Sequence, residues 1–369
     1  MDYSKKLQFH YKPKKGWIND PNGLVYFKGY YHIFYQHAPN HELPWKEPFI
    51  WGHAITKDFL HYEELPIALN SDKNYDNFGC WSGTAIVKDD TLYLIYSSVH
   101  MPDGQTEGEI QTISVAYSKD GINFIKYDKN PVIGPYPIEG SHDFRDPAIS
   151  FVNGKYYLIV ATGHDYTKQA RLLLYESDDL FNYKKLGILD SWENSKCAEC
   201  PSLINITDNE CILSSSVCKL DGSHLFEIKY GHLSNNQFSV YNSGNFEKGP
   251  DEYAGQLFKD HLGRIIMLTW IPGWKYRGFY KKDIGCLSIP REITIKNGKI
   301  CGYPIKEVQH LLKDSDPNIV MTENGFIIKR ENREPIIHVG KVDNIKILKD
   351  EYVMEVFVNY GEIVYAIVL

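Results

Sequence analysis

The sequence predicts an all-β fold, a five-bladed β-propeller followed by a small C-terminal β module. Three observations carry this. A two-hairpin pattern recurs five times at intervals of roughly 60 residues, the length that a four-stranded blade and its loops require. The 369 residues include 27 Tyr, 17 Phe and 7 Trp, side chains that favour strands. No amphipathic helical pattern of comparable length competes with the strand pattern.

The copies follow one another along the chain. In the first, a Pro21-Asn22-Gly23 turn feeds Leu24–Phe27, and Lys28-Gly29 turns it into Tyr30–Tyr35. The second pairs Ala85–Val87 with Thr91–Tyr96, and the third pairs Ala148–Val152 with Lys155–Val160 across Asn153-Gly154. The fourth copy, Ser202–Ile206 with Glu210–Leu213, is the weakest; the fifth joins Gln256–Phe258 to Arg264–Trp270. A second hairpin accompanies each copy. In three of them its first strand ends in Ser/Thr-x-Asp, at Thr56–Asp58, Ser118–Asp120 and Ser177–Asp179, and an aromatic residue opens the next strand. Leu287–Ile295 and Lys299–Tyr303 read as closing strands, so the propeller is predicted over residues 1–303. Beyond it, Lys306–Leu312 reads as one short helix, and Ile319–Leu369 alternates apolar and polar residues like a half-buried sheet, giving a module over 304–369.

A hydrophobic share of 43% and a charged share of 24% suit a globular chain with a sizeable core. The net charge of −7 is spread over mixed signs, which argues against nucleic acid or an anionic membrane as partner. No apolar leader and no run of about 18 apolar residues occurs. Seven cysteines without a regular framework fit reduced thiols, so a cytoplasmic location is expected.

A propeller gathers the residues that open each blade's first strand around one central funnel. Here those are Asn19-Asp20-Pro21, Trp81-Ser82-Gly83, Arg145-Asp146-Pro147, Glu199-Cys200-Pro201 and Asp251-Glu252-Tyr253-Ala254. A lone carboxylate in such a turn is ordinarily a cap. Three of them, Asp20, Asp146 and Glu199, at corresponding points of separate repeats are expected to face one another. Two carboxyl groups across a scissile bond are the equipment of glycoside hydrolysis, and the third would serve substrate hydroxyls.

These motifs resemble glycoside hydrolase family 32, the invertase, fructan hydrolase and sucrose-6-phosphate hydrolase family. The likeness rests on Trp17–Gly23, Arg145–Pro147 and Glu199-Cys200. Further matches are Tyr35-Gln36, Trp45 with Trp51-Gly52-His53, Trp81–Gly83, Asp251–Ala254, Gly273-Trp274 and Pro290–Glu292. The resemblance implies Asp20 as nucleophile, Glu199 as general acid and base, and Asp146 as the holder of fructosyl hydroxyls. It also implies retention of anomeric configuration, with the first two carboxyls about 5 to 5.5 Å apart. Asn19, Gln36, Trp45, Trp81, Ser82 and Tyr253 are expected around the fructosyl ring, and Trp274 nearer the leaving group. Electrostatically, amides and turn N–H groups should keep Asp20 ionised, Arg145 should keep Asp146 charged, and anionic neighbours should raise the pKa of Glu199. The family's C-terminal β-sandwich is about twice as long as the stretch after Pro304, yet Glu355–Glu362 resembles its late motif. A shortened sandwich-like module is therefore expected.

Cys197-x-x-Cys200 with Cys211 and Cys218 lacks the spacing of a zinc site, and the 14 histidines show no ligand pattern, so no metal or cofactor is implied. The basic loop of Lys275, Arg277, Lys281 and Lys282 is either a solvated loop or a contact for a substrate phosphate. The reading is a β-fructofuranosidase acting on a small fructoside, sucrose, sucrose 6-phosphate or a short fructan, as a monomer or homodimer. The alternatives are an inverting arabinan or xylan hydrolase of the related five-bladed clan and a non-catalytic fructan-binding protein.

Overall fold

The computed structural model describes residues 6–41, 48–207, 210–271, 285–331 and 333–369. Five antiparallel sheets follow one another in chain order. Blade 1 is β1 (Trp17–Phe27), β2 (Tyr30–Ala38), β3 (Ile50–Thr56) and β4 (Tyr62–Glu64); blade 2 is β5 (Gly79–Lys88), β6 (Thr91–His100), β7 (Ile110–Ser118) and β8 (Ile125–Lys126). Blade 3 is β9 (Phe144–Val152), β10 (Lys155–His164), β11 (Gln169–Ser177) and β12 (Lys184–Glu193). Blade 4 is β13 (Ser195–Asn205), β14 (Cys211–Lys219), β15 (His224–Ser234) and β16 (Gln237–Gly244). Blade 5 is β17 (Tyr253–Lys259), β18 (Ile265–Ile271), β20 (Arg291–Lys296) and β21 (Lys299–Pro304), with the short β19 (Cys286–Leu287) paired to β18. Each blade starts with its innermost strand and works outward, so the chain is a five-bladed propeller.

The core lies between blades. Alternating apolar residues of one sheet meet those of the next, as Phe34 and Trp51 of blade 1 meet Leu94 and Tyr96 of blade 2, all fully buried. Each such side chain contributes about 1.5–3 kcal/mol of transfer free energy. The ring closes where the Tyr31 hydroxyl of blade 1 donates to Asp260 Oδ2 of blade 5 at 3.2 Å.

The turns explain the Ser/Thr-x-Asp repeat. In blade 3, Ser177 Oγ accepts from Leu180 N (3.0 Å), while Asp179 Oδ1 accepts from Phe181 N and Asn182 N (both 2.8 Å). Blades 1 and 2 repeat this at Thr56/Asp58 and Ser118/Asp120. The fourth position of the turn is left-handed in all three, at Phe59, Gly121 and Leu180.

After a short 3-10 helix over Lys306–Leu311 come two three-stranded sheets. The first is β22 (Ile319–Thr322), β23 (Gly325–Ile328) and β24 (Ile336–Val339); the second is β25 (Ile345–Asp350), β26 (Val353–Val358) and β27 (Ile363–Val368). Phe326 and Ile328 of the first pack on Ile347, Met354 and Val356 of the second, a small sandwich. It is stitched to blade 5's approach by Lys248 N to Val364 O and Val364 N to Phe246 O, both 2.8 Å. Among the described residues no helix is long and apolar enough to cross a membrane.

Candidate active site

Every innermost strand carries a one-residue bulge at the same height. The register slips between Ile18 and Pro21 in β1, between Trp81 and Gly83 in β5, and at Asp146-Pro147 in β9. It slips again between Glu199 and Ser202 in β13 and between Tyr253 and Gln256 in β17. A bulge bends its strand and re-aims a side chain, here toward the funnel. The motif at Trp17–Gly23 is accordingly not a turn before a strand, as the sequence suggested. It is the first half of a continuous β1, with Pro and Gly tolerated because two register slips fall there.

In blades 3, 4 and 5 the bulge places a non-glycine residue in the left-handed region: Asp146 at φ 56°, Cys200 at 45° and Ala254 at 56°. Such positions cost on the order of 1 kcal/mol or more and persist where surrounding structure demands them. They also correct the expected correspondence. Glu199 stands in register with Arg145 and Tyr253, and Cys200 takes the place that Asp146 has in blade 3.

The three carboxylates are held by different donors. Asp20 Oδ2 accepts from Ser82 Oγ at 2.7 Å and from Cys200 Sγ at 3.4 Å. Asp146 is buried; its Oδ2 accepts from Cys200 N at 3.0 Å, and its own N–H donates to Ser97 Oγ at 2.7 Å. Glu199 Oε1 accepts from Arg145 Nη2 at 2.7 Å, while Oε2 accepts from the Tyr253 hydroxyl at 2.5 Å and Cys218 Sγ at 3.1 Å. Arg145 is fixed in turn by Asp143 Oδ1 at 2.6 Å and Gln111 Oε1 at 3.3 Å. Oxygens of Asp20 and Asp146 lie within 4.8 Å of each other and of the Cys200 sulfur.

These donors set the electrostatics, and the order differs from the expected one. Burial raises the pKa of Asp20 more than Ser82 and its other donors lower it, with the charge of Glu199 adding to the rise. Burial likewise pushes Asp146 up to about 7; Arg145 opposes this, and Glu199 and Asp20 reinforce it. Glu199 goes the other way: burial would raise it, but the Arg145 charge and the hydrogen bonds from Tyr253, Arg145 and Cys218 hold it below the usual glutamate value. The reason is where the guanidinium points. Arg145 reaches across the blade boundary to Glu199 instead of back to its sequence neighbour Asp146.

A family model for the N-terminal domain of glycosyl hydrolases family 32 matches residues 10–304. The chain belongs to this family. Over 338 residues it is 31% identical to raffinose invertase of Escherichia coli, covering 88% of this chain and 70% of that one. It is 32% identical over 335 residues to sucrose-6-phosphate hydrolase of Zymomonas mobilis (85% and 64% covered), and 29% over 347 residues to acid beta-fructofuranosidase of Phaseolus vulgaris (85% and 52%). The chain thus spans 52% to 70% of these relatives' length. Among solved structures, a mutant of the Bombyx mori GH32 beta-fructofuranosidase in complex with sucrose superposes with a TM-score of 0.82 at 25% identity, covering 99% of this chain and 89% of that one. Sucrose-6-phosphate hydrolase from Lactobacillus gasseri gives 0.85 at 23% identity, with 99% and 88% covered.

Around this family 32 cluster the other expected residues are placed as follows. Asn19 accepts from Trp17 Nε1 at 3.0 Å and supports Asp20 through its side chain. Gln36 is buried, its amide nitrogen donating to Cys80 O and, with the Asn22 amide turned to receive it, to Asn22, both at 3.0 Å. Asn22 therefore serves Gln36 and not Asp20. Trp81 flanks Arg145, whose guanidinium carbon lies 6.0 Å from the ring centroid. Ser82 and Tyr253, expected around the sugar, donate to the carboxylates of Asp20 and Glu199 respectively. Trp45, Trp274 and the basic loop with Lys275, Arg277, Lys281 and Lys282 lie outside the described residues. Sequence reasoning missed Asp143, Gln111, Ser97 and Cys218. Only Cys218 had a usable signal, since the β13–β14 hairpin register places it opposite Cys197.

Proposed function

We propose that this chain is a retaining β-fructofuranosidase that hydrolyses the fructosyl linkage of sucrose, sucrose 6-phosphate or a short fructan through a covalent fructosyl-enzyme. The observation that carries this reading is the convergence of Asp20, Asp146 and Glu199 from three blades, each with its own donors. The sucrose-bound structural neighbour and the relative named sucrose-6-phosphate hydrolase support sucrose and its 6-phosphate as substrates. In this reading residues 1–303 form the catalytic propeller and 304–369 its supporting module. The seven cysteines form no disulfide, which favours a reducing, cytoplasmic setting.

Asp20 attacks the anomeric carbon while Glu199 protonates the departing oxygen. Glu199 then takes a proton from the water that cleaves the ester. The low pKa of Glu199 in the free site suits the second step. For the first, the three carboxyls act as one titrating group whose protons are shared. Fructosyl hydroxyls donating to Asp146, and an anomeric carbon seated over Asp20, remove the proton's competing holders and leave it to Glu199. Asp146 is the group whose donors a sugar hydroxyl best supplements, since burial pushes its carboxyl up to about 7 and donors from the sugar would favour its ionised form.

Incubation with sucrose, sucrose 6-phosphate, an inulin oligomer and an arabinan tests the reading. Fructose should appear from at least one fructoside, and NMR of the first product should show the β anomer. The α anomer as first product would point to inversion, and no fructose from any fructoside would leave the binding reading. Asp20→Asn should lower turnover by about 10⁴-fold or more with the fold intact.

A further inference from the structure

We propose that Cys197, Cys218 and Glu199 form a binding site for a thiophilic divalent cation, zinc or cadmium, and that its occupancy stops turnover by taking Glu199 out of use. Cys197 of β13 and Cys218 of β14 are direct cross-strand partners. Their sulfurs and a Glu199 carboxylate oxygen all lie within 4.8 Å of one another, with Cys218 Sγ 3.1 Å from Glu199 Oε2. In a tetrahedral zinc site, with Zn–S about 2.3 Å and Zn–O about 2.0–2.2 Å, ligand atoms stand roughly 3.3–3.8 Å apart. Small side-chain rotations therefore bring the three atoms onto one cation.

Charge and access fit as well. Two thiolates and the glutamate bring three negative charges; a divalent cation offsets two of them, and Arg145, shared between Glu199 and Asp143, offsets part of the third. Arg145 Nη2 already lies 3.6 Å from Cys197 Sγ and 2.7 Å from Glu199 Oε1. Binding releases the two thiol protons to solvent, and the carboxylate exchanges its Cys218 donor for the metal. Cys218 and Glu199 are only partly buried, so the cation enters from the funnel, and its fourth position remains open. The local C-x-x-C spacing concealed this site because the left-handed Cys200 is turned toward Asp20 and Asp146. The second thiol comes from the neighbouring strand.

The inhibitory half of this proposal rests on Glu199 being the acid and base; the binding half does not. Titration of the reduced full-length chain with cadmium should develop thiolate-to-cadmium charge-transfer absorption that saturates at one cation and two thiolates. Cys197→Ser and Cys218→Ser should each lose that band. Zinc should displace cadmium and inhibit fructose release in step with occupancy, and a chelator should reverse it. Relative to its own metal-free rate, Cys197→Ser should need about 100-fold more zinc for the same inhibition. A band that survives in the double variant, or no band in the unaltered chain, overturns the site. Loss of fructose release without metal would instead bear on the enzymatic reading alone.

Discussion

The Tyr253 hydroxyl and the Ser82 hydroxyl each end on a carboxylate that has a pKa displaced from its ordinary value, so each should control one limb of the pH profile. Tyr253 donates to Glu199 Oε2 and favours its ionised form. In Tyr253→Phe the pKa of Glu199 rises, and the alkaline limb of kcat for fructose release, which reports the substrate-bound site, should move to higher pH. The lost bond to a charged group is worth about 1.5–3 kcal/mol. If Tyr253 acted only as a wall for the sugar, KM would rise with that limb unmoved. Ser82→Ala takes a donor from Asp20, whose pKa is already raised by burial. Its acidic limb should therefore also move to higher pH, narrowing the active range. The carboxylates themselves were legible because each stands one or two residues before a proline in a turn-like motif. Their partners were not, since Arg145 bonds a residue 54 positions away and Cys218 arrives on the next strand.

At the scale of strands and turns, the same device is reused with different chemistry. The Ser/Thr-x-Asp turn recurs because its Asp caps two successive N–H groups, which lets a left-handed residue follow without a glycine. Asp179 illustrates the strength: burial would raise its pKa, but the N–H groups of Asn182 and Phe181 and the side chains of Asn182 and Ser177 bring it to about 2. A depressed folded-state value stabilises above the unfolded value near 3.9, and that stability is lost as pH falls through about 2. Asp179→Ala should lower stability by about 1–2 kcal/mol in urea unfolding at pH 7. The deficit should shrink at acid pH, and a pH-independent deficit would refute the cap. Hairpins and their turns were readable from alternation and Gly/Asn/Asp signals. The bulges were not, because a one-residue slip depends on what the partner strand presents. Gly83 shows this: a Cβ there would lie 2.1 Å from Ile95 O on β6, a contact no local pattern encodes.

Across the whole molecule, the N-terminal segment, blade 5 and the C-terminal sandwich meet in one buried charge network. His10 Nδ1 and Nε2 each lie 3.0 Å from a carboxylate oxygen, of Asp350 and Glu355 respectively, and Asp350 also accepts from the N–H groups of Gln8, Phe9 and His10. Arg291 of β20 bonds Glu355 through Nε at 3.0 Å and Nη2 at 2.6 Å, and reaches Glu252 and Glu247. Burial opposes a charge on His10, yet its bonds to Asp350 and Glu355 and their charges raise its pKa to about 9. A raised folded-state value gives stability that is complete below the unfolded value near 6.5 and disappears as pH climbs through about 9. Removing one partner of a buried ion pair costs about 3–5 kcal/mol, so His10→Gln should be destabilised by that order at pH 6. At pH 9.5 the imidazole of the unaltered chain is mostly neutral, and the gap between the two proteins should narrow. Thermal unfolding at the two pH values decides it: parallel curves would mean that His10 holds the sandwich by packing alone, and converging curves that its charge is what ties residues 8–10 to the last sheet.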